Sequence, residues 1–531
     1  MPIEAQRKSQ SFTYQTRISA NDFQLQFLKD TAKHLSKIEH ALLADFERGK
    51  NIQKLKSLYL QRHEITARQF NAIRIGLEGK IRSIQVLRND NLNVIKVKIQ
   101  KIRKIINRIK KNKIRIKNAD RILHQKNRAL AIQEHKHMRL SFQIQQGKIG
   151  LCFGSKKLFK RQFNLESNDY QSHDDWKIDW HQSRERHFFL VGSKDETMGN
   201  QSCVATVNSD STLNLRIRVP DCFAERYGQY VLLENVSLHY GKEDILAALN
   251  ENSLRKQLNS SSSRKENGNA FKQHGVAVNY RFIVDDKGCS IFITVDKPPV
   301  DVKTDQRLGA IGVDINSNHL AVTEIDAKGN YVHSFDLPLN TYGKSRGQAL
   351  ALIGDAVTKL ANYALEKQKP MVVEKLDFQN KKNSLTQDNK KKSRQLSSFA
   401  YSQILQHIRS KAFRLGVGLH EVNPAYSSVI GRVKFCQVYN TLSVHRAAAL
   451  VIARRLFVFS ERLPRRWDHI PDNKGGRVTL PVLVKIPGRH IRHTWAIVMK
   501  NLQKALAAQY QMLKQRAGPC LDKDPSDEIP F

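Results

Sequence analysis

A carboxylate set inside an otherwise apolar strand is the feature that most limits what this chain can become. In residues 310–316 (AIGVDIN), Ile311, Val313 and Ile315 alternate along one side and Asp314 falls on the other. A carboxylate among core residues is costly unless something satisfies it. Either this is an acid at a sheet edge or it is an acid with work to do. What comes after it favours the second reading.

Residues 319–326 (HLAVTEID) and 331–338 (YVHSFDLP) read as strands joined by the turn AKGN, so the three strands form a meander. Leu350, Ile353, Val357, Leu360 and Ala364 give helical spacing over 348–366. A short apolar strand, 371–376 (MVVEKL), carries Glu374. A helix over 396–415, a strand over 417–422 and a last helix capped by Ser443 and running to about Arg455 complete the series. The order is β-β-β-α-β-α-β-α with one acid in the first strand and one in the fourth. That describes an RNase H-like α/β domain.

The pieces GVDIN (312–316), VVEKLDF (372–378), RQLSSFAYSQILQHIRSKAFRLGVGLHEVNPAYSS (394–428) and HRAAALVIARR (445–455) extend the match. Over roughly 308–460 the chain resembles the RuvC nuclease domain of TnpB proteins, the insertion-sequence-encoded relatives of type V CRISPR effectors. The resemblance implies phosphodiester hydrolysis at a two-metal site holding Mg²⁺ or Mn²⁺. Asp314 would bridge both ions and Glu374 would hold one.

The third ligand departs from the family pattern. Where an Asp is usual, the sequence has His445. Three readings stand: His445 binds metal as a neutral imidazole, Glu461 or Asp468 supplies the acid, or the site is impaired. The family's zinc ribbon is also missing. Only Cys436 lies near Ser427-Ser428, so no four-cysteine site forms and no zinc is expected. A short loop, 431–441, is expected in its place.

The 531 residues carry 89 Lys+Arg against 49 Asp+Glu, a formal net charge of +40. That excess asks for a polyanion. No apolar run of transmembrane length and no signal-peptide pattern is present, so a membrane partner is not expected. Six cysteines without paired spacing fit a reducing compartment. A prokaryotic, cytoplasmic, nucleoid-associated protein is the expectation.

Residues 11–18 alternate like a strand, and by the resemblance this strand joins a β-barrel formed mainly by later sequence. From about 20 to 138 nearly everything reads as helix. Leu92, Ile95, Ile99, Ile102, Ile106 and Ile109 make a heptad seam. Lys101, Arg103, Lys104, Arg108, Lys111 and Arg115 lie around it with hardly an acid to pair with. This face meets nucleic acid or forms a coiled-coil interface with another protein. The resemblance makes it the recognition lobe.

Six strand candidates (187–193, 202–207, 213–219, 230–239, 277–284, 290–295) imply a wedge-like barrel, with a flexible loop over 251–275. The runs CFGSKKLF (152–159) and GSKDETMGNQ (192–201) resemble its turns. Tyr170, Trp176 and Trp180 either stack on RNA bases or pack in the core. A basic loop, 380–394, carries Lys391, Lys392 and Arg394 and is a lid or a tether.

The expected chain is a multidomain α+β protein. Its parts are an N-terminal strand (1–19), a helical recognition domain (20–146), a wedge-like β-barrel (147–304), a RuvC domain without a zinc ribbon (305–475) and a tail (476–531). The expected function is a transposon-encoded RNA-guided DNA endonuclease with guide RNA and target double-stranded DNA as partners. Its alternatives are an RNA-guided binder with an impaired nuclease, and an RNA-independent transposase or accessory protein.

Overall fold

The computed structural model describes residues 9–115, 118–261, 275–375, 398–439, 442–464, 469–471, 477–480 and 490–517. The chain forms two compact units, Met1–Pro298 and Pro299–Phe531.

In the first unit, strand β1 (Gln10–Ile18) pairs antiparallel along its whole length with a strand more than 270 residues later, from Gln10 opposite Lys297 to Ile18 opposite Cys289. The strands between are β2 (His187–Leu190), β3 (Cys203–Val207), β4 (Leu213–Arg218), β5 (Tyr230–Val236), β6 (Val278–Asp285) and β7 (Gly288–Lys297). They make two sheets, β1-β7-β6-β2 and β3-β4-β5. Strand alternation sends Tyr14, Thr16 and Ile18 inward and leaves Thr13 and Arg17 outside.

The helix Asp22–Glu47 starts at an Asn21–Gln24 capping box, which satisfies two end groups at once. The helix Ala67–Lys111 runs 45 residues without a break, about 68 Å at 1.5 Å per residue. Its seam packs on the helix Ala119–Gln145, burying Ile99, Ile106 and Ile109. The stretch 251–275 differs from its expectation. The helix Lys242–Ser261 covers its first part, because Ile245, Ala248 and Leu249 enter the core and buried Asn252 exchanges two hydrogen bonds with Val276. Residues 262–274 lie outside the described residues. Trp176 and Trp180 are buried and stacked on each other, ring centroids 5.7 Å apart, so packing accounts for both.

The second unit holds β8 (Ala310–Ile315), β9 (His319–Ile325), β10 (Tyr331–Pro338), β11 (Met371–Glu374) and β12 (Leu419–Val422) in the order β10-β9-β8-β11-β12. The first three are antiparallel, and β8, β11 and β12 are parallel. The helices Arg346–Glu366 and Ser398–Leu415 cover one face, where Ile311, Val313 and Val373 point. The helix Val444–Arg454 covers the other, with Val372. That helix comes very close: a Cβ on Gly312 would stand 2.0 Å from the Ala449 carbonyl oxygen, and one on Gly431 would stand 2.7 Å from Ala447. Its alanines and these two glycines are one packing solution.

The expected loop 431–441 is instead largely helical. Ser427–Ile430, a π-helical turn Gly431–Phe435 and Cys436–Val438 follow one another. Val433, Phe435 and Cys436 are buried there, and that burial gives the segment the packing a free loop lacks.

Candidate active site

Strands β8 and β11 run parallel with Val313 opposite Val373. One residue further along, Asp314 and Glu374 hold equivalent positions on adjacent strands, about 4.8 Å apart in strand spacing. Both follow the parity of Gly312 and Val372, so both belong to the face covered by the helix Val444–Arg454. Each is nearly fully buried, 5% and 6% exposed.

Both carboxylates have built partners. Asn316 Nδ2 donates to Asp314 Oδ2 at 3.0 Å. His445 reaches the same oxygen with Nδ1 at 3.1 Å. It stands in the first turn of its helix, after the cap Ser443, where the helix dipole is positive. The Ser427 hydroxyl lies 3.1 Å from Glu374 Oε1 and 3.0 Å from the Pro424 carbonyl, and donates its one proton to either. The Arg455 guanidinium donates to the carbonyls of Asn423 and Ala425, which fixes the loop before Ser427.

Tyr401, on the helix Ser398–Leu415, links the two acids electrostatically. Burial first, then the charges of Asp314 and Glu374, push its phenol above the ordinary value. His319 packs edge-on to His445 with ring centroids 5.0 Å apart. Burial and His445 hold it below the usual imidazole value.

The other expected ligands stand elsewhere. Glu461 is buried between Lys434 and Arg454, each on a different carboxylate oxygen. Arg454 ends the helix that His445 begins, about 13 Å along its axis. Asp468 lies outside the described residues. Of the cations, Arg103 pairs with Glu134 at 2.6 Å, Lys101 is half-buried, and Lys104, Arg108 and Lys111 are exposed. The side chain of Arg115 and residues Lys391, Lys392 and Arg394 lie outside the described residues. Sequence reasoning assigned no role to Asn316, Ser427, Tyr401 or His319. Asn316, Tyr401 and Ser427 had a signal, since all three stand within the quoted motifs.

Two carboxylates and an imidazole are a donor set suited to a hard or borderline divalent ion. Among the described residues, no three His, Cys, Asp or Glu side chains converge closely enough to hold one as placed. Asp314 and His445 touch, and Glu374 stands beside them on the next strand. No helix among the described residues is long and apolar enough to cross a membrane.

No family model and no curated protein matches the chain. Among solved structures it is similar to T. thermophilus RuvC in complex with a Holliday junction substrate, at 14% identity and a TM-score of 0.21, over 28% of this chain and 90% of that one. It is also similar to Cas12f1 in an sgRNA–target DNA complex, at 11% identity and a TM-score of 0.31, over 84% and 99%. A third is Cas12i1 in an R-loop complex before target DNA cleavage, at 11% and 0.18, over 86% and 53%. Scores this low assign neither a fold nor an activity to the chain.

Proposed function

We propose that the chain is a TnpB-like, RNA-guided DNA endonuclease that cuts at an RNase H-like site built on Asp314, Glu374 and His445. One observation carries this reading: two buried acids sit at matched positions on adjacent parallel strands, and an imidazole from the covering helix rests on one of them. Burying two acids side by side destabilises a fold unless they bind a cation or share a proton.

Asp314 and Glu374 would hold Mg²⁺ or Mn²⁺, and His445 would add the third donor. Such ions supply Lewis-acid polarisation of a phosphate and an activated water. The protein's part is to fix the donors. Asn316 and His445 fix the Asp314 carboxylate, and Ser427 fixes Glu374. The net charge of +40 and the exposed Lys104, Arg108 and Lys111 support guide RNA and target double-stranded DNA as partners.

The test is co-expression with the native flanking DNA, sequencing of any RNA that copurifies, and incubation with a randomised-flank plasmid library and Mg²⁺. Guide-dependent cutting that Asp314→Ala abolishes supports the reading. No bound RNA sinks it.

The second reading is an RNA-guided binder with an impaired nuclease. The imidazole at the third position favours it. Target binding without cutting would select it.

A further inference from the structure

The first unit contains a cavity of about 310 Å³ between the outer face of the four-stranded sheet and the helices Asp22–Glu47 and Ala67–Lys111. Its floor is one row across three strands: Phe189 on β2 opposite Arg281 on β6, and Arg281 opposite Phe292 on β7. The Arg281 guanidinium lies 4.6 Å from the Phe292 ring centroid. Thr13 and Thr294 border the row, their hydroxyls 2.8 Å apart.

Gly76, inside the 45-residue helix, lines the same space. A glycine within a helix costs about 1 kcal/mol relative to alanine. A close neighbour usually explains it, as the Ala449 carbonyl explains Gly312. At Gly76 a Cβ would meet nothing within 4 Å. The glycine therefore leaves bare backbone over an open space whose volume suits a small ligand.

The walls suggest what fits. A guanidinium resting on one phenyl ring, with a second phenylalanine opposite it on the neighbouring strand, is a platform for a flat π-system. His187, also lining the cavity, supplies an edge. Burial, then the charges of Lys80, Arg281 and Arg186, push its imidazole down to about 4. It is neutral near pH 7 and offers one donor and one acceptor.

We propose that this cavity binds an unstacked heteroaromatic ring of the nucleobase class, seated on the Phe189–Arg281–Phe292 row with its polar edge toward His187. The proposal goes beyond the nuclease reading and does not require cutting.

The test titrates 2-aminopurine riboside into the full chain and follows its emission. The expected result is saturable quenching that adenosine reverses. Gly76→Leu fills the space, and Arg281→Ala removes the platform. Each should weaken binding about tenfold or more, the size of one lost stacking contact, with far-UV circular dichroism unchanged. Quenching that is absent, that survives both substitutions, or that toluene reverses as well as adenosine overturns the proposal. The probe is a free nucleoside, so this result is independent of strand cutting, by which the proposed function stands or falls.

Discussion

His445 Nδ1 stands 3.1 Å from Asp314 Oδ2, joining the first turn of a helix to a strand 131 residues earlier. Toward an ionised carboxylate an imidazole can only donate, here from Nδ1, and in its neutral form the ring then has its lone pair on Nε2. In the proposed site, that makes Nε2 the nitrogen able to serve as a ligand. Replacing His445 by Ala is expected to lower guide-dependent cutting about 10–100-fold, with a higher Mg²⁺ requirement. His445→Asp is expected to cut at least as well as the parent. Plasmid cleavage against Mg²⁺ concentration checks both, and parent-like cutting by His445→Ala would remove the residue from the site.

Ser427 acts on Glu374 from outside the donor set. Ser427→Ala is expected to slow cutting about tenfold and Ser427→Thr to recover most of it. Target binding should be unchanged in both. If the Ala variant instead loses binding and cutting together, the hydroxyl has a structural part only.

Gly312 and Gly354 make opposed predictions for one substitution. A methyl on Gly312 collides with the Ala449 carbonyl, so Gly312→Ala should destabilise the chain by about 3 kcal/mol or more. Gly354 lies inside the helix Arg346–Glu366 and its Cβ would meet nothing within 4 Å. Gly354→Ala should stabilise by about 0.5–1 kcal/mol. Urea unfolding of the two variants measures both signs.

Acid should weaken the first unit. Burial, then Arg184 and Lys80, lower His40 to about 4, and burial with Lys80 and Arg281 does the same to His187. Unfolded histidines take up a proton near pH 6.5, so the unfolded state binds more protons between about 6.5 and 4. Stability therefore falls as pH drops through that window and levels off below it. With part of each ring open to solvent screening, the loss is about 1–2 kcal/mol per histidine. Urea midpoints at pH 7.5 and 5 should differ accordingly, and His187→Gln should narrow the gap. Equal midpoints would contradict the assignment.

The cationic face is read by salt. Replacing Lys104, Arg108 and Lys111 together by Ala should weaken RNA binding and flatten the slope of log K against log salt by about 2–3. An unchanged slope would place the phosphates elsewhere.

The sequence revealed much of the second unit because its signals are local. Alternation located β8, a short apolar run located β11, and helical spacing located the helix Arg346–Glu366, whose one apolar face is buried. Other features depend on partners distant in the chain. The pairing of β1 with β7 is invisible to periodicity, and the family resemblance raised only that the first strand joins later sequence. The helical run 431–438 reads as a loop in sequence because Gly431, Arg432 and Lys434 mask the burial of Val433 and Phe435. Asp314 announced itself as a polar residue in an apolar strand. The hydroxyl that steadies Glu374 lay inside the quoted run 394–428, but a serine after a tyrosine does not by itself tell which acid it meets.

The helix Val444–Arg454 is fastened by its backbone, pressed against Gly312 on one side and Gly431 on the other, with residues 447–453 all buried. The side chain of His445, 34% exposed in the first turn, is not among those backbone contacts. Position 445 is thus an adjustable fitting on a fixed mount. Its side chain can be exchanged for another donor without reopening the packing that holds it, so the ion preference of the proposed site can drift in evolution, or be set by design, one residue at a time.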